Sequence, residues 1–192
     1  MLTNRQFEII DTAVDIIARN GIQGLTIKNL AKEIGISEPG IYRHFESKTD
    51  ILLALLANFE EMLSIMDKGI QSKEENTLDK IKFLFSRIVE IFSNEPSRIS
   101  VVFSEEIFKN DPKLKEKIVN ILNDKIASIG EIIHDGQRKG EIRKDIDHYT
   151  LAMIIIGSLR LMVKKWDLTS QTVNLHEEGV KLVDGLTLIL KG

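Results

Sequence analysis

Cysteine is absent from this 192-residue chain. With it go disulfides, Cys-ligated zinc, thiol nucleophiles and iron–sulfur clusters, an absence that suits a reducing interior. Only three prolines occur, Pro39, Pro96 and Pro112, so few points force a break in regular structure. Strand signals are missing too, because apolar residues recur at spacings of three and four rather than two. The longest uncharged run, Tyr149 to Leu159, is 11 residues, short of the roughly 18 that suggest a membrane span. Arg5, Glu8, Asp11 and Asp15 interrupt any secretory apolar core. Charge of one sign is lacking as well: 26 basic residues face 29 acidic ones, a net of −3. The expected location is the cytoplasm, with no membrane partner. The length suits about one domain, or a small module joined to a larger one.

What is present reads as an all-α chain of about nine helices. Thr3 and Gln6 form a T-x-x-Q capping box, Phe7, Ile10, Val14 and Ile17 give the first apolar stripe, and Asn20-Gly21 supplies a left-handed stop. Thr26 caps a short helix over Ile27 to Ile34, ended by Gly35. Ser37 caps another that carries Pro39 in its first turn and runs to about Phe45. Ser47 and Asp50 open a longer helix to about Lys68. Beyond a polar connector, Gly69 to Asn76, further helices are expected up to Asn94, over Ser97 to Phe108, from Pro112 to Gly140, over Asp147 to Trp166, and over Val173 to Leu190.

Residues 25–50 carry the most information. Two helices of about eight residues each are too short to stand alone, since isolated helices under roughly 12 residues are marginal. They need a shared core, which Ile27, Leu30, Ala31 and Ile34 with Ile41 and Phe45 can form against the first helix, giving a helix-turn-helix. In such a module the second short helix enters the major groove by its first turn and the first crosses the backbone. Lys28 and Lys32 are four apart with no acid at a helical spacing, as are His44 and Lys48. Phosphates would relieve both like-charge pairs, and solvation would tolerate them. Residues 1–50 hold six basic side chains against seven acidic ones, so non-specific DNA affinity should be weak and binding should need two half-sites.

The run T-I-K-N-L-A-K-E-I-G-I-S-E-P-G-I-Y-R-H-F-E-S-K-T-D-I-L, Thr26 to Leu52, resembles the helix-turn-helix signature of TetR/AcrR-family transcriptional regulators. The match lies in the alanine of the first short helix, the G-I-S turn, the I-Y-R-H-F segment and the following S-K. The resemblance implies a homodimer that reads a palindromic double-stranded operator through residues 1–50 and binds a small-molecule effector through residues 51–192, most simply as a repressor. It also implies backbone contacts at Thr26, Lys28, Tyr42, His44 and Lys48, and base-edge contacts at Ser37, Glu38, Pro39, Gly40 and Arg43. Each has a structural alternative. Tyr42 can be a half-buried ring at the module's edge. Glu38 departs from a phosphate-seeking surface: it can accept from cytosine N4 or serve as a first-turn acid on the helix dipole. Gly40 costs about 1 kcal/mol relative to Ala in a helix, which close approach to DNA would justify.

The remainder is richer in rings and thioethers: eight of the eleven Phe, Tyr and Trp residues follow residue 50. Phe59, Met62, Met66, Phe85, Phe92, Phe103, Phe108 and Met153 stand at helical spacings as ordinary core or as the lining of a cavity for a largely apolar ligand. Arg98, Glu105, Glu106, His134 and Arg160 are candidate polar anchors. Leu151, Ile154, Ile155, Ser158 and Met162, with Val180, Val183, Leu186 and Ile189, offer more apolar face than one core consumes. They read as a dimer interface or as an intramolecular hairpin, with Gly157 and Gly185 permitting close approach.

An enzyme finds little support. Glu131-x-x-His134 has the spacing of di-iron bundle proteins, but Asp145-x-x-His148 falls at a helix start and further inward glutamates are missing. No nucleotide-binding glycine loop or G-x-S-x-G elbow occurs. Neither a cofactor nor a metal is expected. The remaining alternative is a helical small-molecule-binding or interaction protein that does not read DNA, a reading that the acidic balance and Glu38 keep open.

Overall fold

The computed structural model describes residues 2–71, 76–103 and 105–191. Among them lie ten α-helices and no strand. They are α1 (Asn4–Gly24), α2 (Ile27–Ile34), α3 (Glu38–Tyr42), α4 (Lys48–Gln71), α5 (Thr77–Asn94), α6 (Ser97–Val102), α7 (Glu105–Lys109), α8 (Pro112–Lys139), α9 (His148–Leu168) and α10 (Leu175–Lys191). The tenth arises because the expected single helix over 97–108 is two, α6 and α7. The chain sorts into two compact units, Met1–Glu61 with Ser97–Val119, and Met62–Pro96 with Asn120–Gly192.

In the first unit the expected caps are in place. The Thr3 hydroxyl accepts from the Gln6 N–H while the Gln6 side chain accepts from the Thr3 N–H, closing the box. Gly21 (φ 67°) breaks α1 near its end. α1 buries Ile9, Ile10, Ala13, Val14, Ile16 and Ile17 on one stripe, and α2 and α6 both pack on α1. Leu30, Ala31, Ile41 and Phe45 are buried between the short helices, whereas Ile27 and Ile34 are only partly covered.

In the second unit α10 packs against both α5 and α9. The approach to α5 is set by Gly179, where a Cβ would meet Val89 Cγ2 at 2.8 Å. The segment between α8 and α9, polar and without periodicity in the sequence, serves as a clamp. Gly140 (φ 77°) turns the chain. The Glu141 carboxylate then accepts from the Thr77 N–H at 2.7 Å, at the start of α5, while Arg143 donates its backbone N–H to Leu190 O at 2.9 Å and its guanidinium to Ile189 O at 3.1 Å, at the end of α10. An acid thus meets a helix N-terminus and a base a helix C-terminus, each matching the local dipole. The buried Gln137 amide donates to Arg143 O and Ile146 O, both at 2.8 Å, and holds the clamp in shape.

Candidate nucleic-acid interface

Local chemistry explains why α2 and α3 end where they do. The Thr26 hydroxyl accepts from the Asn29 N–H at 3.1 Å and Asn29 Nδ2 donates to Gly24 O at 2.9 Å, fixing the start of α2. Gly35 (φ 78°) ends it in the left-handed conformation, with the Gly35 and Ile36 N–H groups both donating to Ala31 O at 3.0 Å. The Ser37 hydroxyl then accepts from the Gly40 N–H at 3.2 Å to start α3. α3 is shorter than expected, five residues; beyond Tyr42 the chain tightens, with the His44 and Phe45 N–H groups donating to Ile41 O. Gln6 Nε2 donates to His44 O at 3.3 Å and ties this turn to α1.

The result is a two-sided helix. Gly40 and Ile41 face inward, while Glu38, Pro39, Tyr42 and Arg43 are exposed, Tyr42 to 52%. Thr26, Lys28, Lys32 and Ser37 are exposed on the same module, and His44 is partly covered. Of the base-edge candidates, Gly40 is buried, so its Cα does not stand on the outer face. A Cβ there would meet Ile36 and Ser37 only at 3.4–3.5 Å, an ordinary contact, so crowding inside the module does not demand glycine.

The net acidity of residues 1–50 is less uniform than the sum suggests. Arg5 pairs with Glu8 at 2.6 Å, Arg19 with Glu33, and Arg98 reaches Asp11 at 3.3 Å. Lys28, Lys32 and Arg43 stay exposed with no acid partner among the described residues. Lys48 differs: its Nζ donates to Ile22 O at 3.1 Å, binding the first residue of α4 to the end of α1, and partial burial pushes the ammonium below its ordinary pKa. Thr49 and Asp111, whose pairing sequence reasoning missed, join the N-termini of α4 and α8 through a 2.9 Å hydrogen bond. That bond is the first cause holding the Asp111 carboxyl below its ordinary pKa. Sixty-two residues separate the two in sequence, and no local pattern signals such a pair.

The ligand-site candidates divide between the units. Phe59, Phe103 and Phe108 belong to the first; Met62, Met66, Phe85, Phe92 and Met153 belong to the second. Phe59, Met66, Phe85, Phe92 and Phe108 are buried, Met62 and Phe103 partly so, and Met153 is 46% exposed on the outer side of α9. In the second unit α5 and α10 flank an open cleft of about 320 Å³ with Phe85, Val89 and Val183 in its lining and Lys82 and His176 among its polar groups. Of the polar anchors, Arg98 is engaged with Asn58 and Asp11, and the side chains of Glu105 and Glu106 lie outside the described residues. His134 and His148 have ring centroids 5.0 Å apart; among the described residues no group of three or more His, Asp or Glu is placed to hold a metal ion.

The association candidates also divide. Leu151, Ile155, Val183 and Leu186 are buried within the chain itself, because α9, α10 and α5 cover one another. Ser158 and Met162 are partly covered, and Ile154, Val180 and Ile189 are exposed. The outward apolar stripe keeps Ile154, Val180 and Ile189 of the expected residues and adds Leu161 and Leu168 on α9 and Leu188 on α10. Gly157 and Gly185 lie on it, with nothing within 4 Å of where a Cβ would stand. No helix among the described residues is long and apolar enough to cross a membrane.

Comparison with known proteins places this architecture. The profile described as "Bacterial regulatory proteins, tetR family" matches residues 9–55, and that described as "YsiA-like protein, C-terminal region" matches residues 57–191. A fatty acid metabolism regulator protein of Bacillus subtilis is 26% identical over 172 residues, 89% of this chain and 88% of that protein. The crystal structure of the transcriptional regulator FadR from Bacillus subtilis in complex with stearoyl-CoA superimposes with a TM-score of 0.84 at 25% identity, covering 94% of this chain and 97% of that one. The nucleoid occlusion factor SlmA of Vibrio cholerae is 24% identical over 157 residues, 81% of this chain and 80% of that protein. The chain belongs to the TetR/AcrR family of transcriptional regulators. It is a DNA-binding regulator, with the helix-turn-helix at its N-terminus and a helical regulatory region after it.

Proposed function

We propose that this protein is a cytoplasmic, non-enzymatic repressor that holds a palindromic operator as a homodimer and leaves it when a small, largely apolar ligand carrying an acyl chain binds the regulatory region. The observation that carries the reading is the outer face of α2 and α3: three exposed cations, Lys28, Lys32 and Arg43, without acid partners among the described residues, beside an exposed Tyr42 on a rigidly capped five-residue helix. Phosphates are the natural counterions for such a face. In this reading residues 1–50 read DNA and residues 51–192 bind the effector and the second copy. The exposed stripe of α9 and α10 supplies the interface, and two modules meet half-sites about 34–36 Å apart or a multiple of that. The acyl-chain effector is supported by the stearoyl-CoA in the Bacillus subtilis structure and by the Phe- and Met-rich regulatory half. Ligand binding would shift the population toward a state in which α4 repositions the reading heads.

A gel shift with DNA flanking the chain's own gene tests it: retardation by the protein alone, reversed by micromolar stearoyl-CoA, is the expected result. Retardation that stearoyl-CoA leaves intact removes the effector class, and no retardation of any flanking segment removes the repressor. Lys28→Ala should reduce the slope of log K against log salt by about 0.9 per half-site, one phosphate's worth. An unchanged slope would make Lys28 a solvated surface residue.

A further inference from the structure

Inside the second unit, an ion pair and a buried hydroxyl interrupt an apolar seam. On α8, Ile121, Lys125 and Ile129 follow one another at intervals of four, so Lys125 sits on a stripe whose flanking members are buried. Its ammonium reaches Asp67 of α4 at 2.6 Å, with the two side chains only 12% and 20% exposed. Asp67 is itself next to Met66 and one turn from Ile70, both buried. One turn beyond Lys125, Ser128 has a buried Oγ without a hydrogen-bond partner among the described residues.

Neither feature is what stability alone would select. A covered ion pair gains little over apolar residues of the same volume, and a buried hydroxyl without a partner carries an uncompensated desolvation cost. Both costs are recovered if a ligand sometimes engages these groups. Lys125 has three N–H donors, of which Asp67 takes one, and the serine hydroxyl can donate and accept. The buried Ile121, Ile126 and Ile129 beside them are the apolar surface that a hydrocarbon chain would meet, while Lys125 and Ser128 would receive an anion.

We propose that Lys125 and Ser128 bind the anionic head group of an amphipathic effector, and that this anion competes with Asp67 for the Lys125 ammonium. The inference rests on the effector reading above and adds its head-group chemistry and its release step. When the ligand's anion takes Lys125, Asp67 is set free, and with it the C-terminal part of α4. That helix is 24 residues long, about 36 Å at 1.5 Å per residue, and its first residue is Lys48, bonded to α1. Loss of the tie at one end of a continuous helix changes what its other end can hold.

The anion can be a fatty acid carboxylate or a phosphate of an acyl-CoA, and the test separates them. Binding of palmitate, palmitoyl-CoA and uncharged hexadecanol to the full chain is measured by calorimetry for the wild type, Lys125→Met, Ser128→Ala and Asp67→Asn, with circular dichroism checking the fold. Lys125→Met should weaken one or both anionic probes at least tenfold and leave hexadecanol unchanged; the probe affected identifies the source of the anion. Ser128→Ala should weaken the same probe several-fold. Asp67→Asn removes the competitor, so it should bind that probe several-fold more tightly although it breaks an ion pair, a sign that a merely structural role would not produce. Should Lys125→Met fail to fold, the Asp67→Asn result decides. Wild-type affinity carried unchanged into Lys125→Met, or weaker anion binding by Asp67→Asn, overturns this inference alone. Binding of no probe by a wild type that still retards its operator overturns it together with the acyl-chain effector.

Discussion

Tyr42→Ala should abolish tight operator binding while leaving the protein as stable as before, and the adjacent Ile41→Ala should do the reverse first: destabilise the fold and lose DNA binding as a consequence. The two side chains leave the same five-residue helix in opposite directions. Tyr42 is 52% exposed and Ile41 fully covered. A surface truncation away from caps and core changes stability by about ±0.5 kcal/mol, whereas a hydrogen bond to a charged phosphate contributes about 1.5–3 kcal/mol, roughly 10- to 100-fold in affinity per half-site. Ile41→Ala leaves a cavity where α3 meets α2, at a cost of about 2–5 kcal/mol, equivalent to a fall in Tm of roughly 4–20 °C for a chain of this size. Thermal melts and gel shifts on the two variants give four numbers. Unchanged operator affinity in a folded Tyr42→Ala protein would remove Tyr42 from the interface.

The reason this part of the molecule was legible in the sequence is that its determinants are local. Thr26, Gly35 and Ser37 act within three or four residues of themselves, and their caps form as the spacing dictates. The parts that were not legible depend on partners far away in the chain. The break between α6 and α7 carries no glycine or proline, so periodicity reads through it. On α9, six consecutive apolar residues from Leu151 to Ile156 offer every direction at once, and only the packing of α5 and α10 decides which are core. That is why Leu151 and Ile155 are inside while Leu161 and Leu168, not singled out by spacing, face outward. The polar segment after α8 gave no periodic signal because its work is done by individual side chains on helix ends: Glu141 on α5 and Arg143 on α10. Asp67 and Lys125, 58 residues apart, were invisible for the same reason.

The clamp leads to the second large effect, a contrast between two glycines on α8. At Gly136 an added Cβ would stand 2.5 Å from Thr77 Oγ1, 2.7 Å from Ile142 Cγ1 and 2.8 Å from Thr77 Cβ. None of these atoms is the loose end of a flexible chain. Thr77 is buried at the first turn of α5, where its N–H is held by Glu141, and Ile142 is buried inside the clamp. Gly136→Ala must therefore push α5 away from α8 or open the clamp. Overpacking of that kind costs about 1–3 kcal/mol, and the expected fall in Tm is roughly 2–12 °C. At Gly130, six residues earlier on the same helix, a Cβ would meet only His148 Cδ2 at 3.5 Å, an ordinary contact. There the helix-propensity gain of Ala over Gly, about 1 kcal/mol, should prevail and raise Tm by a few degrees. Opposite signs in the two melts would place the stress at the α5 start and not in α8 as a whole. A Gly136→Ala protein that melts with or above the wild type would show that Thr77 and Glu141 are free to move, and the clamp would then be no constraint on α5.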